Sequence, residues 1–223
     1  MGSLEKQVNL YLKQMTDAAR NGQVRDKGTY GELAVLRVCE GLYQAGGGIL
    51  YHSYTYRTEP ELAGNIKSEG GRLFLENISS VTEIDVLLVT PFKVFSIEVK
   101  SYKAKIIKLT DQAISGCAMT QKSPVHQNEM HCRHLYPKLL RALPGGSSKY
   151  IEPVVVMVDE CELQDERSPE QKRYIKLATL NSFRSCIEFL NSPLDYKIDM
   201  DVMDHCLTDA CVSFEKKFPL RKV

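Results

Sequence analysis

The chain has 223 residues, 29 Lys and Arg against 28 Asp and Glu, a formal net charge of +1 and 43% hydrophobic residues. That length supports one substantial core, and the near-neutral charge excludes a protein held to nucleic acid by a global positive field, so any phosphate-binding surface has to be local. Its seven cysteines form no C-x-x-C pair, and there is no apolar leader and no apolar run of membrane-spanning length, which fits reduced thiols in a cytoplasmic protein without a membrane partner.

Leu4, Val8, Tyr11, Met15 and Ala18 recur at helical spacing before the stop Asn21-Gly22, so residues 1–27 are expected to form an N-terminal helix and a polar link. A second helix follows Gly28-Thr29-Tyr30-Gly31-Glu32 and ends at Gly46-Gly47-Gly48. Its apolar stripe is Val35, Leu36, Cys39 and Leu42 or Tyr43, and Glu32 falls on that same stripe. A carboxylate there has two readings: a first-turn acid favoured by the helix dipole, or a member of a charged site elsewhere in the fold. Residues 49 to 57 alternate and are rich in aromatic and β-branched types, which predicts a strand, with His52 read as a structural histidine. Residues 58 to 71 read as a polar loop and 72 to 76 as a short strand.

The organising stretch is TEIDVLLVTPFKVFSIEVK, residues 82 to 100. Two strand-length runs, 83 to 89 and 94 to 100, flank the turn Thr90-Pro91-Phe92-Lys93. If Val89 pairs with Val94, opposite residues sum to a constant, so Leu87 faces Ser96 and Asp85 faces Glu98, with Lys100 further along that face. The other face is Ile84, Val86 and Leu88 against Phe95, Ile97 and Val99. Two carboxylates about 5 Å apart repel unless a positive centre separates them. Lys100 alone can serve, as an ion cluster at a sheet end, and so can a hard divalent cation.

Residues 101 to 109 predict a third strand, with Lys103, Lys105 and Lys108 as either a solvated edge or a phosphate-facing continuation of the charged end. Residues 110 to 122 read as a loop or short helix. Ser123-Pro124 opens a helix on which Gln127, His131, His134, Lys138 and Arg141 share a polar, basic face, while Cys132, Leu135, Leu139 and Leu143 form the apolar stripe; Pro137 is expected to kink or divide it. Cys132-x-His134 lacks the second ligand pair of a zinc site. The run Val154-Val155-Val156-Met157-Val158 reads as a strand covered on both faces, which implies helices on each side of the sheet. Residues 159 to 170 read as an acidic loop, 174 to 178 as a short strand, 181 to 190 as a helix capped by Asn181 or Ser182, and 199 to 214 as another. Lys216, Lys217, Arg221 and Lys222 read as a frayed basic end.

The ordered set Gly-x-x-Gly-Glu32, Asp85, Glu98-Val99-Lys100 and Pro124-x-x-Gln127, followed by the Val-rich strand, resembles the nuclease-related domain, NERD, a branch of the PD-(D/E)xK nuclease superfamily. The resemblance runs from about residue 28 to 158. It implies an α/β fold, a restriction-endonuclease-like mixed β-sheet with helices on both faces. On this reading residues 28–223 are one domain, with core 28–158 and a C-terminal strand and helices in 159–223. It further implies a nuclease dependent on Mg²⁺ or Mn²⁺, with Asp85, Glu98 and the Val99 carbonyl as metal ligands and Glu32 joining directly or through water. Lys100 would orient the attacking water and Gln127 would hold the lysine or the substrate. His131, His134, Lys103, Lys105 and Lys138 are the candidates for substrate binding. The implied partner is nucleic acid, DNA ahead of RNA, with room for a homodimer or a protein partner. The alternative is a non-cleaving nucleic-acid-binding or protein-interaction module on the same fold.

Overall fold

The computed structural model describes residues 10–11, 13–15, 17–18, 27–43, 48–58, 66–69, 72–75, 81–102, 104–116, 121–193 and 196–220. In chain order its elements are α1 (Lys27–Tyr43), β1 (Gly48–Arg57), β2 (Ile66–Glu69), β3 (Arg72–Leu75), β4 (Val81–Val89), β5 (Val94–Lys100), β6 (Ile106–Leu109), β7 (Ala113–Ser115), β8 (Gln121–Lys122) and α2 (Pro124–Leu139). There follow β9 (Ile151–Met157), β10 (Glu162–Asp165), α3 (Pro169–Tyr174), β11 (Lys176–Thr179), α4 (Leu180–Leu190), α5 (Met200–Ala210), β12 (Cys211–Ser213) and β13 (Lys216–Leu220).

The main sheet has seven strands in the order β11-β9-β5-β4-β1-β12, with β13 also paired to β1. The β4–β5 hairpin and the β1 pairings are antiparallel, whereas β5–β9 and β9–β11 are parallel. A parallel return needs a crossover, and α2 lies in the one between β5 and β9. One face of the sheet, Val86, Leu88, Phe95, Ile97 and Val99, packs against Leu33, Val35, Leu36 and Cys39 of α1 and Phe183 and Ile187 of α4. The other, Leu87, Val89 and Val94 with Tyr51 and Tyr54, packs against Cys132, Leu135 and Leu139 of α2 and Met203, Cys206 and Leu207 of α5. At roughly 1.5–3 kcal/mol for each large side chain fully buried, the α1 stripe outweighs the helix penalty of about 1 kcal/mol each at Gly31 and Gly41.

The hairpin register is the one the alternation predicts: Val89 pairs with Val94, and Leu87 with Ser96. The turn closes through the Thr90 N–H, which donates to the Lys93 carbonyl at 2.8 Å. One expectation on the far side of β4 is corrected. Ile84 does not share a face with Val86 and Leu88; it packs with Tyr54 and Tyr56 on the α2 side. The cause is in β1, where Ser53 takes a φ of +53°. Residues three apart on a regular strand point to opposite faces, yet the rings of Tyr51 and Tyr54 meet edge to face at 5.0 Å. The alternation therefore reverses at Ser53 in β1 and at the facing position in β4.

Several other expectations are also corrected. The strand expected over 101 to 109 is only Ile106–Leu109, in a separate sheet of order β10-β6-β7-β8, and between β5 and β6 the Ala104 N–H bonds locally to the Tyr102 carbonyl. The stretches read as loops over 58 to 71, 110 to 122 and 159 to 170 contain β2, the β7 and β8 strands, and β10 respectively. β10 forms because Leu163 packs on the cluster of Ile107, Leu109, Ile114 and Met157 beneath this small sheet. Thr179, not Asn181 or Ser182, caps α4, and Ser182 completes the capping box from its third position. Helix α5 ends at Ala210, four residues short of the expected end, and Pro137 lies in the last turn of α2 without dividing it. The basic end is not frayed through Leu220: β13 pairs with β1 from Gly48 to His52, and Phe218 is buried. Among the described residues no helix is long and apolar enough to cross a membrane, and the six described cysteines are free.

Candidate active site

Asp85 belongs to neither ladder of its own strand. Between β1 and β4 the pairs run from Ile49↔Val89 to Arg57↔Val81 and skip only the position where Ser53 faces Asp85. Between β4 and β5 they stop at Val86↔Ile97, one step before Asp85 and Glu98. The strands open there, and the Asp85 carboxylate enters the fork: its Oδ2 accepts the Val99 N–H at 2.7 Å. The N–H and C=O of one strand residue point to the same side. The Lys100 carbonyl accepts from the Val158 N–H on the β9 side, so the Val99 carbonyl faces the fork with Asp85.

Glu98 leaves the same strand toward α2 and is 1% exposed. The Lys100 ammonium stands in ionic contact with its Oε1, and His131 Nδ1 lies 3.5 Å from Oε2. The ammonium serves Oε1 alone, whereas Oε2 has no hydrogen-bond donor and His131 Nδ1 has no hydrogen-bond partner. Burial raises the Asp85 pKa most, and Glu98 and Glu32 add to this against the Val99 N–H and Lys100, bringing it to about 8. Burial likewise raises Glu98, opposed by Lys100 and reinforced by Glu32 and Glu83. Burial works to deprotonate Lys100, yet Glu98, with Asp85 behind it, holds the ammonium above its usual range. His131 is pushed down to about 4, by burial first and then by Lys100 and His134, so its imidazole is neutral near pH 7.

Glu32 comes from the first turns of α1, on the opposite face of the sheet from α2, and its side chain is 20% exposed. Gly31 lets α1 approach this closely: a Cβ there would lie 2.9 Å from a Val158 methyl and 3.2 Å from one of Val99. The Glu32 carboxylate is held by His52, whose Nε2 lies 2.9 Å from Oε2. On its other side His52 Nδ1 meets the Tyr11 hydroxyl at 2.8 Å and Glu215 Oε2 at 3.1 Å. His52 is fully buried, so it joins the N-terminal helical residues, α1 and the β12–β13 connection through one ring. A lone histidine in an alternating strand carries no sign of this. Its partners stand 20, 41 and 163 residues away (for Glu215, 215 − 52).

The remaining candidates spread out. Gln127 is exposed one turn before His131 on α2, His134 and Lys138 are half-buried further along, and Lys105 is exposed ahead of β6. Lys103 lies outside the described residues. The residue that anchors α2 is Asn128, which the sequence does not mark. Fully buried, it accepts from Ser96 Oγ at 2.6 Å and donates to the Ser96 and Val154 carbonyls at 2.9 Å each. Tyr56 adds a bond from its hydroxyl to the His131 carbonyl at 2.7 Å.

Among the described residues no three His, Cys, Asp or Glu side chains are drawn together tightly enough to grip an ion. The chemistry of the donor set nevertheless suits a hard divalent cation: a half-buried and a buried carboxylate, both with raised pKa values, a Glu98 oxygen without a donor, and a strand carbonyl facing the same fork.

Neither the curated proteins nor the solved structures contain a match to this chain. The family described as nuclease-related domain matches it over residues 27–158, which takes in α1, the β4–β5 hairpin, α2 and β9. The mixed sheet with helices on both faces is the restriction-endonuclease-like architecture, and with this match over more than half its length the chain belongs to the nuclease-related domain family, NERD.

Proposed function

We propose that this NERD protein is a nuclease that hydrolyses phosphodiester bonds in DNA, using Mg²⁺ or Mn²⁺ held by Asp85, Glu98 and the Val99 carbonyl, with Glu32 joining directly or through water. The observation that carries this reading is the charge-frustrated pair of half-buried Asp85 and buried Glu98 at the open end of the hairpin. A divalent ion bound there supplies Lewis acidity toward the phosphoryl oxygen and lowers the pKa of water. The chain's own residues do the rest. Lys100, kept protonated by Glu98, orients the incoming water and stabilises charge developing on the phosphate. Gln127 and His134 on α2 and Lys105 before β6 contact the substrate, with Lys138 and Lys103 as further substrate-binding residues. DNA is the favoured substrate over RNA.

A second reading, a non-cleaving nucleic-acid-binding or protein-interaction module, draws on the contact of Lys100 with Glu98, which neutralises one carboxylate without an ion. The test is a cleavage panel of single-stranded, double-stranded, nicked and branched DNA, with RNA alongside, in Mg²⁺ and in Mn²⁺. Cleavage by the wild type, reduced by about 10²–10³-fold or more in Asp85→Ala, Glu98→Ala and Lys100→Ala, supports the nuclease. A folded wild type that cuts none of these substrates sinks it. Calorimetric titration with Mn²⁺ then separates the two readings, since the module predicts no heat that Asp85→Asn abolishes.

A further inference from the structure

His131 stands opposite Glu98 in an arrangement that hydrogen bonding does not account for. Its Nδ1 is 3.5 Å from Glu98 Oε2. Both atoms are buried and neither has a hydrogen-bond partner. If Nδ1 is bare, two lone-pair atoms face each other in a space closed to water. If Nδ1 carries the proton, the N–H misses the carboxylate beside it. Each case leaves a buried polar group desolvated without compensation, and each lacks one positive centre between the two atoms. The ring is not there by slack. Asn128 ties α2 to β5 and β9 one turn earlier, and the Tyr56 hydroxyl holds the His131 carbonyl. Lys100 does not fill the gap, since it meets the other oxygen of Glu98, Oε1.

We infer that His131 Nδ1 and Glu98 Oε2 act as a nitrogen–oxygen ligand pair for the ion of this site, and that the site prefers first-row transition ions to Mg²⁺. The inference rests on the metal-nuclease reading and narrows it. Mg²⁺ takes oxygen ligands in a near-ideal octahedron, whereas imidazole nitrogen suits first-row transition metals. An inner-sphere histidine among carboxylates therefore tilts selectivity without changing the charge of the site. His134, one turn further along α2, is the internal control.

The experiment loads the full chain with Mn²⁺ and records the electron spin echo modulation of the bound ion. The expected result is nitrogen coupling in the wild type and in His134→Phe, absent in His131→Phe. Mn²⁺ affinity should fall about tenfold or more in His131→Phe, since even outer-shell partners are worth about 10- to 100-fold, while Mg²⁺ affinity holds. Should His131→Phe fold poorly, wild-type protein grown with ¹⁵N-histidine asks the same question without a substitution: the nitrogen frequencies must change with the isotope. Bound Mn²⁺ without nitrogen coupling, or coupling that survives His131→Phe, overturns the histidine ligand and leaves the nuclease reading standing. Failure of Mn²⁺ to bind overturns both.

Discussion

Ser53 and Asp85 face each other at the only position between Ile49↔Val89 and Arg57↔Val81 where β1 and β4 do not pair. Ser53 carries a φ of +53°, a left-handed conformation that costs a non-glycine residue of order 1–3 kcal/mol. The missing rung frees Asp85 to turn into the fork and take the Val99 N–H. Ser53→Gly is expected to keep this geometry and raise the melting temperature. Ser53→Val, β-branched where φ is positive, is expected to destabilise by about 1–3 kcal/mol. Chemical denaturation of both variants measures this; equal stability would mean that the conformation of Ser53 is not strained.

Asp85 makes the metal-free protein pH-sensitive. Its folded pKa is raised to about 8, above the ordinary carboxylate range of an unfolded chain, so the folded state binds the proton more tightly. The contribution of Asp85 to stability is then fullest below about pH 4, where both states are protonated, and is lost as pH rises through about 8. Asp85→Asn keeps an acceptor for the Val99 N–H but cannot ionise. Thermal melts in chelator from pH 5 to pH 9 should show a smaller loss in Asp85→Asn than in the wild type. Parallel curves would show that Asp85 does not titrate in this window.

His52 is the joint between Glu32 and the termini. Replacing it with Phe removes the only side chain seen to hold the Glu32 carboxylate among the described residues. If Glu32 serves the bound ion, His52→Phe weakens Mn²⁺ binding by about 10- to 100-fold, the range found for outer-shell partners. His52→Gln, which keeps a donor, should fall between. Calorimetry at constant pH measures it, and an unchanged affinity in His52→Phe would detach Glu32 from the ion.

Gly31 sets how near α1 comes to the sheet. The Cβ of Gly31→Ala would meet Val158 at 2.9 Å, below ordinary van der Waals contact, against a branched side chain with little room to yield. Overpacking of this kind costs about 1–3 kcal/mol. The helix start, with Glu32 next in sequence, must move outward. A Gly31→Ala protein as stable as the wild type in denaturant would show that the approach is looser than these distances indicate.

Asn128→Ala leaves buried groups of Ser96 and Val154 without partners, at about 1–3 kcal/mol for each group. The loss should be seen in urea, with faster amide exchange in α2. The size of this effect distinguishes Asn128 from its neighbour Gln127, which is exposed and whose replacement by Ala should leave stability within about 0.5 kcal/mol.

How much could be read without coordinates follows from the range of each interaction. The period-two alternation of residues 83 to 89 and 94 to 100 was enough to set the hairpin register, because a one-residue slip would turn its whole apolar face to solvent. That register put Asp85 opposite Glu98, one step past the point where the β4–β5 ladder opens, and the helical spacing of Val35, Leu36 and Cys39 brought α1 onto the sheet with Glu32 in its first turns. The same logic misassigned Ile84, since a strand's alternation cannot anticipate a reversal caused by a backbone angle at Ser53 in a different strand. It put His131 on one polar face with Gln127 and His134, although three bonds of Asn128 hold that stretch of α2 down on the sheet and His131 is buried where Gln127 is exposed. His52 was indistinguishable from any strand histidine until residues 11, 32 and 215 converged on its two nitrogens. Local pattern thus determined the central strands β1, β4, β5 and β9, the hairpin register and the charged end of the hairpin, because burial of apolar side chains at fixed periods is a short-range signal. Only the tertiary structure decided which polar groups meet there, because their hydrogen bonds join residues distant in sequence and depend on backbone geometry that no period records.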